Sequence, residues 1–157
     1  MLLTAFIFLF VFSLMSGFKS QFLSTLAEKS SDNVSALINK GLALAHLGNY
    51  IQAIQYYDKA LDIDPNNVDA LYNKGNALDN LGNHTQAISY YDKVLDIDPN
   101  NVDALNNKGL ALAHLGNYTQ AISYYDKVLD IHPNDSDALN NKGNALAHLR
   151  LPITTKK

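Results

Sequence analysis

The sequence predicts an all-α protein built from stacked pairs of helices. Three observations predict it. The chain repeats with a period of 34 residues, marked by Pro65, Pro99 and Pro133, by Gly41, Gly75, Gly109 and Gly143, and by Gly48, Gly82 and Gly116. Each period holds two stretches whose apolar residues recur at helical spacing. Each stretch stops at a glycine or a proline, the residues that end helices. Three full units follow, 34–67, 68–101 and 102–135, and a half repeat, 136–149, holds only a first helix. Units two and three share 27 of 34 residues.

Ahead of the repeats, residues 1–18 read MLLTAFIFLFVFSLMSGF, with no charged side chain before Lys19. As a helix this stretch reaches roughly 27 Å, about the thickness of a hydrocarbon core. Segment 1–19 is therefore expected to direct the protein to a membrane, either as a single anchor or as a signal segment that exports the chain when cleaved. A signal peptide needs a basic start and small residues before the cut. Here only the α-amino group is basic, and Leu14 sits three positions before a cut after Ser16. A buried core helix fits poorly, because Phe6, Phe8, Phe10, Phe12 and Phe18 leave no polar face. The side of the membrane stays open. Lys19 and Lys29 follow the segment and favour a cytoplasmic domain. The sequons at Asn33, Asn83, Asn117 and Asn134 matter only outside the cytosol. Residues 20–33 form a linker or a degenerate capping helix, since Phe22, Leu23, Leu26 and Ala27 repeat the spacing of Tyr56, Tyr57, Ala60 and Leu61.

In the second unit, helix A is expected over 68–81. Ala70, Leu71, Ala77, Leu78 and Leu81 form its apolar stripe. Asn66 or Asn67 is a ready N-cap, and Asp69 suits the positive end of the helix dipole. Gly82-Asn83 closes it as a left-handed cap. Helix B is expected over 85–97, with Ala87, Ile88, Tyr91, Val94 and Leu95 as its stripe, and Pro99 prevents its continuation. Neither helix buries its stripe alone, so the units must stack. Residues 150–157 are a tail.

The pattern L-x-N-K-G-x-A-L-x-x-L-G-N-x-x-x-A-I-x-Y-Y-D-K-x-L-x-I-D-P-N-N resembles a tetratricopeptide repeat. Leu71, Gly75, Leu78, Gly82, Ala87, Tyr91 and Pro99 carry the match, with their equivalents over residues 34–149. The resemblance implies a right-handed α-solenoid whose A helices line a concave, peptide-binding groove. In that arrangement Gly75 and Ala87 let helices A and B approach closely. Lys40, Lys74, Lys108 and Lys142 depart from the family, which usually has a buried leucine there. A lysine can lay its stem on the core and keep its ammonium in water.

Composition narrows the chemistry. Charged residues are only 17%, while asparagine occupies 18 of 157 positions. A net charge of −3 and the lack of a basic face exclude a nucleic-acid binder. The absence of cysteine excludes disulfides and thiol chemistry. His46, His114 and His148 share one helix A column but lack the further ligands of a metal site. His84 and His132 fall in turns and carry no signal. Asp62, Asp96 and Asp130 lie three residues after Lys59, Lys93 and Lys127, a surface ion-pair spacing. No nucleophile, base and orienting group assemble, so neither an enzyme nor a cofactor is expected.

The expected function is a non-catalytic scaffold or adaptor that binds a protein or peptide partner. Asn39, Asn73, Asn107 and Asn141 recur once per unit, and a row of amides can pair with an extended peptide backbone. Units two and three differ in helix A at Tyr72/Asn106, Asn76/Leu110, Asp79/Ala113 and Asn80/His114. Tyr72, Asn76, Leu110 and His114 are therefore expected to set side-chain preference, with Asp69 and Asp103 making the rim acidic. The alternative is a structural homodimer formed through the half repeat, where Leu146 and Leu149 lack a covering helix B.

Overall fold

The computed structural model describes residues 30 and 33–150. The expectations for segment 1–19, for most of 20–33 and for all but the first residue of the tail lie outside these residues. Among the described residues seven helices follow in antiparallel succession. They are α1 over 33–46, α2 Tyr50–Ile63, α3 Val68–Asn80, α4 His84–Ile97, α5 Val102–His114, α6 Tyr118–Ile131 and α7 Ser136–Arg150. The odd-numbered helices are the A helices of the repeat and the even-numbered ones the B helices.

Local chemistry sets their ends. Asn67 and Asn101 cap α3 and α5, each side chain accepting a hydrogen bond from a backbone N–H three residues on, at 3.1 and 3.0 Å. Asp135 does the same for α7 at 2.8 Å. Such caps contribute on the order of 1 kcal/mol each. Gly82 ends α3 with φ +78°, which costs a glycine little, and the N–H of Asn83 closes onto the carbonyl of Leu78 at 2.9 Å. Asn83 and Asn117 stand before the B helices but make no side-chain cap.

The core runs continuously through the stack. Tyr57, Tyr91 and Tyr125 are its largest fully buried side chains. Each packs over a glycine of its own unit's A helix: a methyl group on Gly109 would lie 2.6 Å from the Tyr125 ring. Val94 of α4 packs with Leu71 of α3 and Ala104 of α5, so a B helix is wedged between two successive A helices. This interleaving lets each unit bury a stripe it cannot bury alone.

Three details differ from the sequence expectation. Helix B of unit two starts at His84 rather than Thr85. Leu81 is 40% exposed and is the C-cap of α3 rather than part of its buried stripe. It stands at the turn into α4, where Gly82 follows with positive φ. In the half repeat, Leu149 is 50% and Leu139 51% exposed, while Leu146 is half-buried. Leu146 therefore keeps partial cover although no B helix follows it among the described residues.

Candidate functional site

The asparagine column lies along the face that successive A helices share. Asn39 is exposed on α1. Asn73 donates to the carbonyl of Asp69, one turn back in its own helix, at 2.8 Å. Asn107 donates to the Tyr72 hydroxyl and to Asn76 Oδ1, both at 2.9 Å, across the boundary between units two and three. Asn76 Oδ1 also accepts from the Tyr91 hydroxyl at 2.8 Å. Asn141 donates to Asn106 Oδ1 at 3.3 Å across the next boundary.

Of the residues singled out from sequence, the fold therefore joins Tyr72, Asn76 and Asn107 in one network. Leu110, His114 and Asn141 line a single cavity of about 320 Å³ with Tyr118, Tyr125 and His148. Asp69 and Asp103 sit exposed in the first turns of α3 and α5. The amide row is not a free set of donors and acceptors. Asn107 uses both of its N–H donors within the protein, and Asn73 and Asn141 use one each. Their carbonyl oxygens have no partner among the described residues and remain as acceptors.

Tyr91, which closes the network from the B side, was not legible as a site residue, because a buried tyrosine reads as core. Burial raises the pKa of its phenol well above the usual value, and the nearby Asp79 carboxylate adds to the shift. Burial likewise pushes Tyr125 up to about 12.

The histidines pair differently from their column. His114 stacks on His84 with ring centroids 4.7 Å apart, and His148 stacks on Tyr118 at 4.6 Å. His84, which carried no signal in the sequence, also meets Asp79 Oδ1 through Nδ1 at 2.7 Å. His84 and Tyr118 are equivalent first residues of B helices, so each ring joins one unit to the next. Among the described residues no group of three or more histidines and carboxylates could hold a metal ion.

The lysine column also acts between units. Lys74, Lys108 and Lys142 pair with Asp58, Asp92 and Asp126 of the preceding B helix. The expected pairing of Lys59, Lys93 and Lys127 with the aspartates three residues on is not formed. Those lysines lie over the rings of Tyr56, Tyr90 and Tyr124 instead. Each ring therefore has two lysines over it; for Tyr90, Lys74 and Lys93 stand 4.4 and 4.7 Å from the centroid. Nor does Lys108 keep its ammonium in water: the residue is 9% exposed and donates to Asp92 and Tyr124. Burial would lower its pKa, but Asp92 and Tyr124 outweigh burial and raise it. The signal was present as a separation of 16 residues between Asp92 and Lys108, which no single helix connects.

Family models described as tetratricopeptide repeat match residues 34–67, 60–102, 72–136 and 124–156. No curated protein sequence matches the chain. Among solved structures, the first TPR of Spaghetti (RPAP3) bound to the HSP90 peptide SRMEEVD is 27% identical. It superposes with a TM-score of 0.73 over 76% of this chain and 94% of that one. The first TPR domain of human RPAP3 is 26% identical, with a TM-score of 0.71 over 74% and 92%. YrrB, described as a TPR protein with an unusual peptide-binding site, is 30% identical, with a TM-score of 0.67 over 71% of this chain and 57% of that chain. With its repeats, helix pairs and close glycine–tyrosine packing all of this kind, the chain belongs to the tetratricopeptide repeat family.

Proposed function

We propose that the protein is a non-catalytic adaptor that binds an extended peptide segment of a partner along the face shared by α1, α3, α5 and α7. The observation that carries this reading is the amide row of Asn73, Asn107 and Asn141, which keeps carbonyl oxygens free to accept from a peptide's backbone N–H groups. The Spaghetti structure, bound to an HSP90 peptide, supports a peptide ligand for this architecture. The ligand chemistry differs here. That peptide is rich in acidic residues, whereas Asp69 and Asp103 make this rim acidic and its column offers amides rather than cations. The groove suits neutral or basic segments, with binding that weakens as salt rises. Selection of peptides from a random library on the protein, repeated with Asn73→Ala, tests this. Recovery of only acidic C-terminal peptides, or of no peptides, would overturn it.

A second reading is self-assembly through α7, favoured by the exposure of Leu139 and Leu149 and by the open space above Gly143. A stable dimer in sedimentation that Leu149→Asp dissolves would support it. Among the described residues no helix is long and apolar enough to cross a membrane. Membrane association accordingly rests on the uncharged stretch 1–18, and recovery of the full chain with its N-terminus intact in the soluble fraction would refute it.

A further inference from the structure

The three boundaries between units place the same tyrosine of helix B behind different residues of helix A. At the second boundary, Asn76 Oδ1 accepts from the Tyr91 hydroxyl at 2.8 Å and from Asn107 at 2.9 Å. At the first, Leu42 takes the place of Asn76, and the Tyr57 hydroxyl is buried without a partner. At the third, Leu110 takes that place, but Tyr125 lines the open cavity of about 320 Å³. Tyr125 is 1% exposed, and its hydroxyl has no partner among the described residues. Asn141, the equivalent of Asn107, stands in the same wall and is held only by its 3.3 Å bond to Asn106. Both donors of the second boundary are thus repeated at the third, and the carboxamide oxygen between them is missing.

We propose that this cavity receives the carboxamide of a glutamine side chain from a bound peptide, its oxygen accepting from the Tyr125 hydroxyl as Asn76 accepts from Tyr91. The assignment rests on the peptide-groove reading and names its specificity. Leu110 and Ala145 offer an apolar surface to the glutamine stem. The wall carries no aspartate, glutamate, lysine or arginine, and its two imidazoles, His114 and His148, are stacked on His84 and Tyr118, so a charged side chain would meet no fixed counter-charge and lose its hydration. A leucine would leave the phenol unsatisfied. Asparagine, shorter by one methylene, reaches less far from an extended backbone.

Binding of neutral peptides that differ only at one central residue, set to Gln, Asn, Leu or Glu, tests this by fluorescence anisotropy. The glutamine peptide should bind about tenfold more tightly than the leucine and glutamate peptides. Tyr125→Phe should erase the advantage of glutamine over leucine, weakening the glutamine peptide and strengthening the leucine peptide, whose stem no longer covers an unsatisfied hydroxyl. Leu110→Asn, which supplies the oxygen from within, should erase it too, and carries the test if Tyr125→Phe fails to fold. Peptides that bind regardless of the central residue, or best with leucine, would overturn the glutamine assignment and leave the groove reading standing. No binding by any peptide would overturn both.

Discussion

A methyl group placed on Gly75 would lie 2.7 Å from Cε1 of Tyr91, whereas the same group on Gly143 would meet nothing within 4 Å. The two glycines occupy the same position of the repeat. Tyr91 is fully buried and cannot withdraw, so the contact at Gly75 is a true close approach of two helices.

Gly75→Ala should therefore destabilise the fold by about 1–3 kcal/mol, as overpacking does, despite the better helix propensity of alanine. Gly143→Ala should instead gain about 0.5–1 kcal/mol. Thermal and urea unfolding of the two variants check the opposed signs. A loss at Gly143 would show that α7 is covered in solution, as self-assembly requires.

The hydroxyls of Tyr57 and Tyr91 give a second opposed pair. Tyr57 is buried without a partner, and Tyr91 donates to Asn76. Tyr57→Phe should raise stability by about 1 kcal/mol by removing an unsatisfied donor, and Tyr91→Phe should lower it by a similar amount. Equal effects of the two changes in urea unfolding would contradict the assigned hydrogen bonding.

Lys108 is buried, while its partner Asp92 is about half exposed. Lys108→Leu should therefore change stability by less than about 1 kcal/mol, because Asp92 recovers water when its partner is lost and leucine restores apolar packing. A loss of several kcal/mol in the unfolding midpoint would make the lysine–aspartate pair the main tie between units.

Alkaline pH should weaken the fold. Lys74 and Lys108 have folded-state pKa values raised above 10.5, and Tyr125 is raised from 10.0 to about 12. A group raised by folding binds more protons in the native state, so its stabilisation is complete below the unfolded value and is lost as pH rises through the folded one. The thermal midpoint should hold steady as pH rises to about 10 as far as these groups are concerned, then fall. Tyr125→Phe should shallow that fall.

For binding, Asn73 is a cleaner probe than Asn107. Asn73 bonds only to its own helix, while Asn107 ties Tyr72 and Asn76 across a boundary. Asn73→Ala should leave folding intact and cost on the order of 1 kcal/mol of peptide affinity. Asn107→Ala should cost both affinity and about 1 kcal/mol of stability. Unchanged peptide affinity in both variants would remove the amide row from the site.

The sequence by itself determined what depends on neighbours along the chain. The 34-residue period, an asparagine cap at Asn66 or Asn67, which the structure resolves as Asn67, the left-handed turn at Gly82 and the buried stripe through Ala87, Tyr91 and Val94 are local energies, written where they act. Only the tertiary structure decided which polar groups meet between units. Asp92 reaches Lys108 over 16 residues and Asn107 reaches Asn76 over 31, distances that no helical spacing encodes. The same holds for the cavity beside Tyr125. Leu110 and Asn76 read as two variants of one groove position, and their difference gains chemical meaning only once stacking sets a buried phenol behind them. A repeat fixes each unit's own fold through short-range contacts, but the register of one unit on the next is set by how their side chains interlock.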